Sequence, residues 1–384
     1  MASNIAIPVA SLATGPLLAR GLGVDDRGAL AAIMAVLMIA PALFSFGLQD
    51  ASVLLYRRAA ARFSISASAV TIAIAILASA LSALLTITIP FVQGGAAPLL
   101  ASAYVGTMIG LMPLRGMIVA AEHFRAIAAE KWTQATLRVV GTIFLFATQS
   151  MTVESALLVL LGSTALGGIP LVLFARAKLA RGGLPRGVTA SALVRLGWPI
   201  WLAAVAQLAL LRLDQVTLSF IGTSYELGLY VVAATLADVA LIASTAIRLV
   251  ILPRLAGGES SRLARAAPVV FSLGLLGVLL SIWLGDPLIS WLFGGPFSSA
   301  SEILPWLVVA STLGVWLDIV SAQATARGRA GHLAVGSGAG AVLSLIGCFA
   351  LYPVVGVDGV VIARIAGYAI AAVAASWTAF RAGD

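Results

Sequence analysis

Charged side chains interrupt otherwise apolar runs at several points of this sequence, and those interruptions are where chemistry is expected. Between Trp198 and Leu255 two long apolar segments, joined by the hairpin Thr223-Ser224-Tyr225-Glu226, carry Arg212, Asp214, Asp238 and Arg248. Arg115, Arg138, Arg195, Asp318 and Arg364 stand within or at the edge of other apolar runs. At the centre of a bilayer each such charge costs about 3 kcal/mol on insertion scales, so it faces a protein partner or a wet cavity rather than lipid. The chemistry open to this set is ionic. Arginine offers a planar, permanently charged fork that matches carboxylate or phosphate oxygens, and a buried carboxylate takes up a cation or pairs with arginine.

Spacing narrows the roles. Arg115 falls near the end of one apolar run and Arg138 near the start of the next, so at about 1.5 Å per residue both sit roughly 6–9 Å inside the same membrane face. Two guanidiniums at like depth repel unless an anion lies between them. The alternative is local pairing, Glu122 with Arg115 and Glu130 with Arg138, each on the helix face of its arginine. Arg212 and Asp214, two residues apart, point to different faces and need different partners. An interhelical bridge from Asp214 to an arginine, or from Asp238 to Arg212, is one reading of these aspartates, and a functional role is the other. Arg195 and Arg248 lie close enough to helix ends to snorkel. Arg364 faces Asp318 or a cavity, and spacing does not choose between them.

The elements that position these residues are membrane helices. Of 384 residues 61% are hydrophobic and only 10% charged, and the mean hydropathy is +1.08, where soluble domains have about a quarter of their residues charged. A window of about 20 residues, the length that crosses a bilayer, predicts twelve spans. They cover residues 3–22, 28–52, 66–90, 97–119, 132–150, 154–175, 194–221, 227–251, 266–285, 301–322, 333–352 and 357–380. The first is interrupted by Gly15-Pro16. Pro41, Pro113 and Pro170 should bend helices around a central space.

Fifteen basic residues fall in the loops after even-numbered spans and in the tail, against only Arg20 and Arg27 after odd-numbered ones. This asymmetry places both termini in the cytoplasm, since basic residues concentrate in cytoplasmic loops. The basic loop around residues 176–190 divides the chain into an N-terminal six-helix lobe, 1–175, and a C-terminal one, 191–384. The division is also a repeat: Gly28 matches Gly228, and Gly94-Gly95 before span four matches Gly294-Gly295 before span ten. An even number of spans per half makes the repeats parallel, with substrate expected in a central cavity between the lobes.

Catalytic constellations are not expected. His123 and His332 lie past helix ends with no second His or Cys at ligand spacing, so neither a metal site nor a cofactor is predicted. The run Gly336-Ser337-Gly338-Ala339-Gly340 has no strand before it and no Lys-Ser/Thr after it, and reads as a close helix-packing face. Cys348 stands alone, so no intrachain disulfide forms. Seven tryptophans, at 132, 198, 201, 283, 291, 306 and 377, fall near span ends as interfacial anchors do.

The order W-P-x-W, L-L-R-L-D-Q, E-L-G-L-Y-x-V-A-A and A-I-R-L-V-x-L-P-R between Trp198 and Arg254 is similar to the second-half entry of bacterial polysaccharide flippases of the multidrug/oligosaccharidyl-lipid/polysaccharide exporter superfamily. The stretch from Leu292 to Leu307 with the A-R-G-R-A at 326–330 resembles the ninth-to-eleventh helix region of that family. The N-terminal G-L-G-V-D-D-R-G-A-L with F-G-L-Q-D-A-S-V-L-L-Y resembles its first hairpin. The resemblance covers nearly the whole chain.

It implies an all-α transporter of the bacterial inner membrane, not an enzyme, that flips an oligosaccharide on a polyprenyl-diphosphate carrier to the outer leaflet. Substrate-binding candidates are Arg115, Arg138, Arg212, Arg20 and Arg364. Candidates for ion coupling or interhelical pairing are Asp214, Asp238, Asp318 and Asp50. Membrane lipid and polysaccharide-assembly membrane proteins are the expected partners, and nucleic acid is not. Two other readings remain: a drug/cation antiporter of the same superfamily, which wants first-lobe carboxylates, and a membrane polymerase or ligase, which wants a large outer loop. A non-transporting scaffold with the same fold is also compatible with the sequence.

Overall fold

The computed structural model describes residues 3–47, 49, 53, 65–92, 95–179, 190–241, 261–326 and 330–380. Among them the regular structure is helical. The helices are α1 (Ser3–Phe44), α2 (Ile65–Ile87), α3 (Ala97–Ala120), α4 (Phe124–Ala147), α5 (Val153–Gly167), α6 (Ile169–Leu179), α7 (Ala190–Ile221), α8 (Ser224–Ala237), α9 (Ser261–Phe293), α10 (Ala300–Ala326), α11 (Ala330–Val355) and α12 (Val357–Phe380), with a short 3-10 turn over Gly295–Phe297.

Nine described helices are long and apolar enough to cross a membrane, and an apolar stretch over Thr71–Ile87 is somewhat shorter. The apolar part of α1, Ala6–Phe44, has 39 residues, about 58 Å of helix against a hydrocarbon core of about 30 Å. It therefore holds the first predicted span and residues 28–44 of the second. They meet at Gly23, where φ is +77°, a conformation that costs glycine little and L-residues much. The loop expected over 23–27 is thus reduced to a kink at one residue, where two helices join directly, and Gly15-Pro16 does not interrupt the first of them. α4 falls outside the nine because Arg125, Glu130, Lys131 and Arg138 lower its hydropathy. These elements make the chain an all-α, multi-pass membrane protein.

Two further expectations are corrected. α9 runs through Pro287 to Phe293, so the outer loop predicted over 286–301 shrinks to the residues around the 3-10 turn, held by buried Phe293 and Phe297. The sixth span keeps its expected length, over Val153–Arg176, but is divided into α5 and α6 at Gly168, ahead of Pro170, which cannot donate a helical hydrogen bond.

The chain forms two compact units, one of Met1–Leu22 with Ile33–Leu202 and one of Gly23–Ala32 with Ala203–Asp384. Most of the expected 176–190 linker lies outside the described residues. In the first unit, Leu111, Ile118 and Leu171 join α3 to α6, while Ala6 and Ala10 of α1 pack on Ala135 of α4. Trp201, expected as an interfacial anchor, instead donates its indole N–H to the carbonyls of Ala42 and Leu43, at 2.8 and 3.0 Å. The other six tryptophans of that set are exposed.

In the second unit the glycine run of α11 is a packing face. A Cβ on Gly340 would collide with the carbonyl of Gly367 on α12, and one on Gly336 would press on Ala374. Gly28 and Gly228, expected from the sequence to be equivalent positions of a repeat, touch each other: a Cβ on Gly28 would strike the Ser224 carbonyl, and one on Gly228 the carbonyl of Val24. Ser224 also donates to Asp25 at 2.7 Å.

Candidate functional site

Among the described residues, each unit brings a group of the sequence's ionic candidates together. In the first, Glu130, Gln134 and Arg138 recur every fourth residue along α4 and so form one stripe. Helix formation by the apolar residues between them fixes that stripe against α3 and α5. Arg115 of α3 donates through Nε to Glu130 Oε1 at 2.6 Å, and its Nη2 lies 2.5 Å from the same oxygen. Glu130 is 1% exposed, and its Oε2 has no hydrogen-bond partner among the described residues. Gln134 donates to Thr164 of α5 at 2.8 Å. Tyr104 lies on the same side of α3 as Arg115, about three turns towards the N-terminus, near Thr164 and Arg138.

The pairing is therefore not the one expected from spacing. Glu130 serves Arg115 on the neighbouring helix, not Arg138 on its own. Glu122 does not share a helix face with Arg115, because α3 ends at Ala120 and Glu122 has φ +59°. Arg138 is partly buried, and no described carboxylate forms a salt bridge with it. The neutral phenol of Tyr104 lies near it. Among the described residues the guanidiniums of Arg115 and Arg138 and the nearby ammonium of Lys131 stand against the carboxylate of Glu130, a net positive balance.

In the second unit the cluster is larger and closed. Arg364 of α12 is 1% exposed and reaches between two helices. Its Nη1 donates to Asp214 Oδ2 of α7 at 2.8 Å, and its Nη2 to Asp238 Oδ1, at the C-cap of α8, also at 2.8 Å. Tyr230 donates a short hydrogen bond to Asp214. Ser311 of α10 donates to Asp238 Oδ1 at 3.2 Å, and Arg212 approaches Asp238 Oδ2 at 3.5 Å. Tyr368, one turn beyond Arg364, stacks against its guanidinium 5.8 Å away.

Arg364 pairs with Asp214 and Asp238, not with Asp318, and it is enclosed by its own chain rather than turned to a cavity. The interhelical reading of Asp214 and Asp238 is what the geometry contains, with Arg212 as the weaker of two arginines on Asp238. Asp318 lies partly buried on α10, and Arg20 is exposed on α1. Asp50 and Arg248 lie outside the described residues. Tyr104, Gln134, Thr164, Tyr230, Ser311 and Tyr368 were missed because a search for charges passes over neutral donors. The four-residue spacings of Gln134 and Tyr368 from an arginine were the available signal.

A profile of polysaccharide biosynthesis proteins matches residues 1–258. No curated protein matches the sequence. Among solved structures, an inward-facing multidrug resistance MATE family transporter of the MOP superfamily is similar over 99% of this chain and 97% of its own, at 18% identity and TM-score 0.70. The lipid II flippase MurJ, in an inward closed conformation, is similar over 98% of this chain and 86% of its own, at 14% identity and TM-score 0.71. A mutant of the Vibrio cholerae MATE transporter VcmN is similar over 99% and 93%, at 17% identity and TM-score 0.63. Identities this low carry the fold alone, while the profile covers two thirds of the chain. This protein belongs to the polysaccharide biosynthesis protein family and has the helical fold of MATE transporters and MurJ.

Proposed function

We propose that the protein is a flippase that moves an oligosaccharide on a polyprenyl-diphosphate carrier from the inner to the outer leaflet of a bacterial plasma membrane, with both termini cytoplasmic. The observation that carries this reading is Arg138. It is a partly buried guanidinium without a described carboxylate partner, two turns along the same stripe from Glu130, which already neutralises Arg115. A fork of this kind suits phosphate oxygens, and the neutral donors Tyr104, Gln134 and Thr164 beside it suit an anionic, hydroxyl-rich head group. A diphosphate leaving a negative-inside cell moves down the potential, by about 2.3 kcal/mol per charge per 100 mV. Arg115 and Arg20 are secondary candidates for the same anion. Arg212 and Arg364 spend their charge on aspartates and are not proposed as its ligands.

A second reading, a drug/cation antiporter, is favoured by one observation: Glu130 is a buried first-unit carboxylate with one unsatisfied oxygen. Deleting the gene separates the two. Loss of outer-leaflet oligosaccharide, with carrier-linked oligosaccharide accumulating on the cytoplasmic face, supports the flippase. Intact delivery with raised sensitivity to cationic drugs supports the antiporter and refutes the flippase.

A further inference from the structure

Carboxylates inside membrane lobes mark ion paths, and the second unit carries two that face each other. Asp214 and Asp238 present their oxygens with the hydroxyls of Tyr230 and Ser311, a set of hard oxygen ligands suited to a small cation. That position is filled by the chain itself. Each terminal nitrogen of Arg364 holds a different aspartate at 2.8 Å. With Arg212 at the rim the cluster has two positive charges against two negative ones. We propose that Arg364 is the resident cation of this site, occupying the place of an exchangeable ion, so that no coupling cation is taken up between Asp214 and Asp238.

Three features carry this. The guanidinium is enclosed on all sides, with 1% exposure, so an incoming ion finds no path that leaves Arg364 in place. Displacing it would strand an arginine whose Nε is already without a partner, and an unpaired buried charge is strongly unfavourable. The second aspartate is doubly committed, since Ser311 and Arg212 hold its oxygens when Arg364 holds one of them. Transport in the proposed reading is then driven by the charge of the cargo or by ions bound elsewhere. The site proposal itself does not depend on what is carried.

The test uses the purified full-length protein in detergent, with Tm measured in sodium chloride and in choline chloride. The unaltered protein should show the same Tm in both salts. Arg364→Ala should lower Tm by about 5–10 °C in choline, and sodium or millimolar guanidinium should restore a large part of that loss. Adding Asp214→Asn should abolish the restoration. If sodium raises the Tm of the unaltered protein and Asp214→Asn removes that shift, the site exchanges ions and the proposal fails. It also fails if Arg364→Ala is as stable as the unaltered protein, or is destabilised without response to either cation. Should Arg364→Ala not fold, the charge-balanced pair Arg364→Gln with Asp214→Asn decides. Recovery of folded protein relative to Arg364→Gln alone supports the resident cation, and no recovery overturns it. The Tm measurements need no cargo, so they stand or fall separately from the flippase reading.

Discussion

Arg115 on α3 rests on Glu130 of α4, 2.6 Å away and on a different helix. A buried pair of this kind contributes little net stability when whole, because two charges have been desolvated, yet breaking it from one side costs about 3–5 kcal/mol. Glu130→Gln and Arg115→Gln should therefore each reduce the amount of folded protein in the membrane. Replacing both together should recover much of it. Quantitative blotting of membrane fractions measures this, and a double variant no better than either single one would contradict the pairing.

The contact between Gly28 and Gly228 makes a sterically sharper prediction. Alanine at either position drives a Cβ into backbone rather than into a flexible side chain, and overpacking against backbone costs about 1–3 kcal/mol or more. Gly28→Ala or Gly228→Ala should lower Tm by several degrees. Gly338→Ala, with nothing near its added methyl, should leave Tm unchanged or raise it slightly through helix propensity.

Much of this architecture was legible because a membrane helix is written in local composition. The apolar runs and the glycine run of α11 required no knowledge of neighbours. Gly95 and Gly294, which precede α3 and α10, both adopt positive φ, but in the sequence match Gly95 aligns with Gly295, so the two positive-φ positions are not equivalent. What was not legible is rotation. The sequence puts Glu130 on a helix face but does not say which neighbouring helix that face meets, and so Glu130 was matched to Arg138 on its own helix. Arg364 shows the same gap: the number of aspartates within reach of α12 follows from packing, and only the structure supplies Asp214 and Asp238 together.

Orientation rests on the basic loops. A reporter fused after Ala180 should be cytoplasmic, and one fused after Gly295 external, because fifteen basic residues lie on the first side and two on the other. The opposite pair of results would invert the direction in which cargo is proposed to move.

The last prediction separates the two first-unit arginines. Arg138 has no described carboxylate to strand, so Arg138→Gln should leave protein level close to normal while oligosaccharide delivery falls at least tenfold, equivalent to about 1.4 kcal/mol of lost anion interaction. Arg138→Lys should restore delivery only in part, since an ammonium keeps the charge and loses the two-pronged geometry. Arg115→Gln should behave in the reverse order, losing protein before it loses transport per molecule, because it exposes Glu130 as an unpaired buried carboxylate. Measuring delivery per folded molecule, with surface oligosaccharide divided by membrane protein, distinguishes them. If Arg138→Gln delivers at the normal rate per molecule, the anion is not held on the α4 stripe, and Arg138 contributes only to packing against Tyr104.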